Sequence, residues 1–522
     1  MADVSLTRKT ARDLARLIRD RSVSPVEVLE AHLAVIAEKN PALNAIVTLA
    51  AERAVAAAHA AERAVAGNQA IGPLHGLPVA IKDITPTAGI RTTFGSPLYA
   101  DNMPAEDAEV VRRLKAAGAI VLAKTNTPEF ACGANTDNAL FGPTRNPWNP
   151  ALSPAGSSGG SAVAVATGMV PLAQGTDFGC SIRIPAAFCG IVGLRPTPGL
   201  IPNYPMPLAW DAGQVHGPLA RDAADAALML DAMTGYSRLS PISVSPPWQS
   251  ALAGMQECRT EGLRVAYAAD IAGIGIEEEI DAVCRRAALA LRQAGAAVEE
   301  IEFSAADGRD AYQAWRGLWM VGQQYERLDR LELFGANLKG NVASGLNVTP
   351  VDFAAAERKR LEVFQRFRVL FERFDVLLTP AAPVKPFAVG KNFPDRINGQ
   401  KFENYIDWIA PAFLVTLVSL PAASAPAGMG RDGLPIGMQI VSARFGEPLL
   451  LSLASVLHEA SGVTWPPEPQ DLAVAGGRLR RRRGSAKFAL PLKWIRPGVR
   501  RIPPPGSCAG TSPREPRLGC RR

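Results

Sequence analysis

The sequence predicts an α/β layered domain. Short apolar runs that read as strands alternate with longer stretches of three-to-four apolar periodicity along most of the 522 residues. A 48% hydrophobic content beside 20% charged residues supplies the core such a layered fold needs. No internal repeat is present, so neither a solenoid nor a propeller is indicated.

From about Thr7 to Ala66 the chain reads as helices, with Leu14, Leu17 and Ile18, then Val28, Leu29, Leu33 and Ile36, on apolar faces. Ser24-Pro25 with Glu27 is a helix start, because a serine cap and a glutamate three residues later satisfy free N–H groups. Pro73–Asp83 and Ala119–Ala123 are strand-like and flank a helix over Glu106–Ala117. The Asn, Pro and Gly content of Thr125–Pro154 predicts an ordered loop, followed by a small-residue helix over Ser161–Gly168. Later strands are expected at Arg264–Tyr267, Val298–Phe303, Asp375–Leu378, Leu420–Pro426 and Pro435–Ser442. Helices over Glu277–Ala294, Asp310–Leu333, Thr349–Arg373 and Pro448–Ala460 separate them.

The net charge of +7 conceals two parts. Residues 474–522 hold 14 Lys/Arg and one Glu, leaving residues 1–473 with 42 basic against 48 acidic side chains. The body therefore has no bias toward nucleic acid. The tail, with Arg480–Arg483 and Pro503–Pro505, is expected to be disordered. Composition favours an extension without function over an arm that contacts RNA or a membrane. The expected division is one domain over 1–473 and a basic tail over 474–522. No apolar run approaches the roughly 18 residues of a membrane span, and the N-terminus lacks the layout of a secretory signal. The seven cysteines (Cys132, Cys180, Cys189, Cys258, Cys284, Cys508, Cys520) include no C-x-x-C pair, which speaks against zinc and against a disulfide framework. A cytoplasmic location is the expectation.

Chemistry concentrates in two glycine-rich segments, Gly156–Ser161 and Gly175–Arg183, and in Lys82 at the end of the apolar run from Leu77. A serine hydroxyl becomes a nucleophile only when a base takes its proton, and glycines let N–H groups converge on a reacting oxygen. Together they point to acyl transfer. The first segment is no phosphate loop, because the lysine of that motif is absent. Gly156–Gly160 satisfies G-x-S-x-G around Ser158, yet the lead-in Trp148–Pro154 carries two prolines instead of a strand. A Ser-His-Asp enzyme is thereby disfavoured. Among the histidines, His32, His59 and His458 read as surface or half-buried helix positions, while His75 and His216 sit beside glycines in loops. Lysine then becomes the alternative base, which burial makes feasible by disfavouring the ammonium form. Taken alone, Lys82 reads better as a strand-end lysine paired with Asp83 than as a base.

The combination resembles the amidase signature family. The likeness is carried in colinear order by Gly76–Asp83, Lys124–Phe130, Gly142–Trp148, Gly156–Ser161, Gly175–Ala186, Cys189–Thr197 and Gly433–Gln439, and runs from about residue 5 to 465. It implies a mixed β-sheet core covered by helices on both sides, with no metal or organic cofactor. It also implies amide hydrolysis by a Ser-Ser-Lys triad mapped onto Ser181, Ser157 and Lys82. In that mapping Ser181 is acylated, Ser157 (held in the family by a cis peptide) relays its proton, and Lys82 is the base. Backbone N–H groups of Phe178, Gly179, Cys180 and Ser181 form the oxyanion site, and Ala131 and Gly133 join substrate binding. Asp177 and Arg183 brace the loop, with an exposed ion pair as the other reading, and Ser158 supports the triad.

Two positions depart from the family pattern, Cys180 and Ala155, where glycine is usual. A left-handed Cys180 would be strained; with ordinary dihedrals it only narrows the pocket. A cysteine nucleophile is disfavoured because no histidine lies near it in sequence. Thr127-Pro128 stands where amidotransferase glutaminase subunits carry Met-Asp, and Pro205–Asp211 lacks their Tyr-Gly signature. A free-standing amidase acting on a small-molecule amide is favoured, compatible with a homodimer. The alternatives are the glutaminase subunit of a tRNA-dependent amidotransferase, or a catalytically silent binding protein with the same fold. Asp310–Leu333, with Tyr312, Trp315 and Trp319, reads either as a cover for the acyl pocket or as plain helix core.

Overall fold

Asn44 ends the first long helix (Pro25–Leu43) in the left-handed conformation, φ 52°, and turns the chain into a strand. The expected capping box is present at the start of that helix: Ser24 accepts from Val26 N–H, and Glu27 accepts from Ser24 N–H. The computed structural model describes residues 3–467, and the basic tail from 474 lies outside the described residues.

Eleven strands among the described residues form one sheet, and two short ones form a hairpin. In chain order they are β1 (Ile46–Leu49), β2 (Pro78–Lys82), β3 (Ile120–Thr125), β4 (Leu172–Asp177), β5 (Val192–Arg195) and β6 (Val215–Ala220). There follow β7 (Arg264–Tyr267), β8 (Ala297–Glu300), β9 (Val376–Pro380), the hairpin strands β10 (Arg396–Ile397) and β11 (Gln400–Lys401), β12 (Ala422–Met429) and β13 (Pro435–Ser442). The sheet order is β1-β3-β2-β4-β6-β5-β12-β13-β9-β7-β8. Strands β3, β2 and β4 run parallel, as do β9, β7 and β8, and the pairings from β4 through β6, β5, β12 and β13 to β9 are antiparallel. The sheet is therefore mixed, as the resemblance implies.

Helices cover both faces, which is why β2, β3 and β4 are buried along their whole length. Alternate β2 residues show the two layers. Val79 and Ile81 pack in a core with Leu14, Leu230 and Leu450, whereas Ala80 packs in another with Leu29, Val163 and Ala173.

Most expected elements are found, and β7 and β13 have the expected ends. Four strands of the large sheet were not expected, nor were the two hairpin strands. β1 interrupts the stretch read as helical, although Ile46-Val47-Thr48 is β-branched and follows the Asn44 stop signal. β4, β5 and β6 lie inside or beside the motif segments, where glycines and prolines mask the period of two. The expected strand over Val298–Phe303 is shifted to Ala297–Glu300. The helix expected over Asp310–Leu333 stops at Gln323 and continues as a tighter 3-10 turn series.

Helix Arg309–Gln323 packs backbone to backbone against helix Ala336–Leu346, because Gly317 and Gly345 meet. A Cβ on Gly345 would stand 2.0 Å from the Gly317 carbonyl oxygen, so the helices would have to separate. We expect Gly345→Ala to cost about 1–3 kcal/mol through overpacking and to lower the thermal unfolding midpoint. Gly340→Ala, on the same helix with nothing within 4 Å of the added carbon, is the control and is expected to stabilise. Equal midpoints for the two variants would contradict this packing.

Candidate active site

The parallel strands β2 and β4 end side by side, with Ile81 opposite Gln174, so Lys82 faces the turn that follows Gly175. Ligand sites of open α/β sheets lie at such carboxyl ends. The helix Gly159–Ala166 closes in from beside them because its glycines remove the intervening carbon: a Cβ on Gly160 would lie 2.4 Å from Asn126 N and 2.7 Å from the Ala45 carbonyl oxygen. Ser157 and Ser158 precede this helix, and the Gly156–Ser157 peptide is cis.

Lys82 is fully buried, and its partners are hydroxyls. Nζ lies 2.6 Å from Ser157 Oγ, 2.9 Å from Ser158 Oγ and 3.0 Å from Thr176 Oγ1. Burial lowers its pKa to about 7, against the opposing pull of Asp177. The pairing with Asp83 does not occur. Asp83 accepts from the Thr93 hydroxyl and N–H instead, and faces Lys124. Ser158 Oγ reaches the Thr176 carbonyl at 3.2 Å, which commits its proton and leaves it an acceptor toward Lys82. Ser158 is fully buried and absent from the pocket wall, so the G-x-S-x-G reading fails at its central residue.

Ser157, Thr176, Phe178, Gly179, Cys180 and Ser181 line one pocket, and Ala131 and Gly133 face it from the 128–133 turn. Ser181 is half-buried, while Ser157 is fully enclosed. Among the described residues no acceptor takes the N–H groups of Phe178, Gly179, Cys180 or Ser181, which leaves four donors free at one turn. Ala131 has a left-handed backbone, φ 58°, and so does Ala155, φ 60°, where a glycine would be unstrained. Cys180 is not among the positive-φ residues, so it narrows the pocket without backbone strain. Burial raises its thiol pKa, which removes the thiolate a cysteine nucleophile needs.

The turn is braced from below. Arg183 Nη2 and Nε reach the two Asp177 carboxylate oxygens at 2.8 and 3.2 Å, and Arg195 Nη1 lies 3.6 Å from the same group. Both side chains of the Asp177–Arg183 pair are fully buried, which overturns the surface-pair reading. Burial alone would raise the Asp177 pKa, but the two arginines hold it below its ordinary value. Arg183 also donates to the Gly179 carbonyl at 2.8 Å, tying the brace directly to the donor turn.

No histidine lines the pocket, although His216 stands opposite Thr176 across the sheet. His32 is buried, not at the surface, and Nδ1 contacts the Gly168 carbonyl at 3.0 Å. His216 is on β6, not in a loop, and pairs with Gln174 Nε2 at 2.9 Å. His75 contacts the Ala61 carbonyl. Helix Arg309–Gln323 does cover the pocket, through Arg316, Trp319 and Met320. Sequence reasoning gave no role to Thr176, Lys124, Arg316 or Tyr405. Thr176 was findable, since it sits inside a motif segment beside Asp177. Nothing in a single sequence separates a buried arginine from an exposed one.

No helix among the described residues is long and apolar enough to cross a membrane. The family model described as Amidase matches residues 27–451. The acylamidase of Rhodococcus erythropolis is 35% identical over 467 residues, covering 87% of this chain and 96% of that protein. A glutamyl-tRNA(Gln) amidotransferase subunit from Methylococcus capsulatus is 36% identical over 481 residues, covering 87% and 97%. Among solved structures, a bacterial aryl acylamidase of the amidase signature enzymes superposes with a TM-score of 0.81 at 29% identity, covering 90% of this chain and 99% of that one. The 6-aminohexanoate cyclic dimer hydrolase gives 0.78 at 30% identity, covering 88% and 99%. With four-fifths of its length inside the family model and relatives matched almost end to end, the chain belongs to the Amidase family of enzymes.

Proposed function

We propose that this protein hydrolyses a small carboxylic amide through an acyl-enzyme on Ser181, with Ser157 as proton relay and Lys82 as base. The observation that carries the reading is a buried lysine, neutral in part near pH 7, with Nζ 2.6 Å from the Ser157 hydroxyl. A neutral amine has two N–H groups and one lone pair. Ser158 accepts one N–H and Thr176 is placed to accept the other, which turns the lone pair to Ser157.

Ser157 gives its proton to Lys82 and takes one from Ser181 Oγ as that oxygen attacks the amide carbon. The carbonyl electrons move onto oxygen, which the N–H groups of Gly179, Cys180 and Ser181 receive without rearrangement. The proton returns through Ser157 to the amide nitrogen, the C–N bond breaks, and ammonia or an amine leaves. Water, deprotonated along the same path, then attacks the acyl carbon. Ser181 leaves with the returning proton and the carboxylic acid is freed. The relay hydroxyl accepts and donates at each stage, so one base serves both halves. No cofactor is required by this scheme.

The amidotransferase reading draws on the 36% identity to the Methylococcus capsulatus protein. It would require that ammonia release from glutamine depend on added partner subunits.

Lys82→Ala is expected to lower kcat/KM for amide hydrolysis by roughly 100- to 10,000-fold with an unchanged far-ultraviolet spectrum; an unimpaired variant removes Lys82 as base. Since Lys82 must be unprotonated to act and burial sets its pKa to about 7, kcat/KM should fall as pH drops below about 7 and level off above it. A profile flat from pH 5 to 9 would contradict the assignment. A fluorophosphonate probe should label the wild-type protein once and Ser181→Ala not at all. Failure to label the wild type favours a silent binding protein.

A further inference from the structure

Arg316 is the single charged side chain in the pocket wall among the described residues, and the proton relay leaves it unused. It is 5% exposed, and no carboxylate pairs with it among the described residues. Nε donates to Asn341 Oδ1 at 3.0 Å and Nη2 to Tyr405 Oη at 2.7 Å, both neutral acceptors. The guanidinium also interacts with the Cys132 thiol and the Tyr312 hydroxyl, whose pKa values burial raises, so these partners are neutral as well. The guanidinium carbon lies 5.6 Å from the centre of the Phe178 ring and 5.8 Å from that of Tyr405, so aromatic faces surround it.

Arg183, the buried arginine of the brace, offers a contrast. It is met by a carboxylate and by four further acceptors: the Ala412 carbonyl, Gln439 Oε1, the Gly179 carbonyl and Thr416 Oγ1. Arg316 has instead a fixed aim. Asn341 Nδ2 donates to the same Tyr405 hydroxyl at 2.9 Å, so Arg316, Asn341 and Tyr405 form a closed ring of neutral contacts around a permanent cation. An arginine cannot shed its proton to relieve burial, and a neutral occupant of the pocket would exclude water and leave the charge without a counter-ion. An anionic occupant removes that penalty.

We propose that Arg316 anchors a carboxylate on the substrate, so that the amides turned over are those carrying a second, anionic carboxylate. This deepens the amidase reading and rests on it. The guanidinium fork matches a carboxylate in a paired geometry that no other group in the pocket offers. Phe178, Trp319, Met320 and Ile409 supply apolar walls for the carbon skeleton between the two ends.

The test measures kcat/KM on the wild-type protein for two matched series. Monoamides of straight-chain dicarboxylic acids against fatty amides of equal length place the carboxylate on the acyl side. N-acyl amino acids against N-acyl alkylamines place it on the amine side. At least one series should show a tenfold or greater preference for the anionic member, and this identifies the side that Arg316 serves. Arg316→Gln should abolish that preference, and Arg316→Lys, keeping a cation without the fork, should retain part of it. If Arg316→Gln fails to fold, the Arg316→Lys ratio decides. Neutral amides hydrolysed with no anionic preference in either series overturn this inference alone, as does a preference that survives both variants. Hydrolysis of no amide in either series overturns the amidase reading with it.

Discussion

A lysine enclosed without a carboxylate is the constraint around which this site is built. Had an aspartate stood at hydrogen-bond distance from Lys82, the ammonium form would be fixed and no lone pair would be available near neutral pH. Three hydroxyls stand there instead, and Asp177, the acid whose charge acts on Lys82, is turned away into two arginines. Hydroxyls satisfy either protonation state of the amine, so the site tolerates loss of the proton without leaving a buried polar group unpaired. The cost of burial is thereby directed into one quantity, the pKa.

The enclosure follows from the fold. The ends of β2 and β4 bring Lys82 and Thr176 together, and the glycine-rich entry to helix Gly159–Ala166 lets two serines approach them without side-chain interference. Asp177 then serves twice. It accepts from Ile182 N–H at the start of the following helix, and it binds Arg183 and Arg195, which reach other parts of the chain. Arg183 extends to Ala412 and Thr416 in helix Ala410–Leu417 and to Gln439 in β13. The turn carrying Ser181 is thus anchored to segments more than 200 positions away. A donor site on a turn gains precision when the turn cannot move relative to the sheet.

The fold class was legible because β7, β9, β12 and β13 are apolar runs bounded by helices of clear period. β4 to β6 were not, since their residues answer to the site as well as to the sheet, and β1 was hidden by the helical periodicity on either side of it. β4 contains Gly175 and ends in Asp177, and β6 contains Gly217 and Pro218, so the period of two is broken where backbones approach closely. The same conflict explains the site. The family resemblance singled out Lys82, Ser157 and Ser181, yet the burial that lowers the lysine pKa is a property of packing that no motif states. His32 was misjudged for a related reason: a polar residue on a helix reads as exposed until the neighbouring Gly168 carbonyl is known to lie against it. Ala155 shows the limit of expectation from family pattern. Its left-handed backbone retains the conformation for which glycine is usual, while Cys180, the other departure, sits in no such conformation.

Two buried cations of different kind stand at this site, Arg316 in the pocket wall and Lys82 against Ser157, and the difference orders its electrostatics. Lys82 can give up its charge, and above about pH 7 it largely does so. Arg316 cannot. In the working protonation state the field inside the pocket therefore comes chiefly from one permanent charge beside Phe178 and Tyr405, with the donor turn of Gly179 to Ser181 adding partial positive charge nearby. Such a field favours an occupant that brings negative charge at rest and develops more on its carbonyl oxygen during reaction.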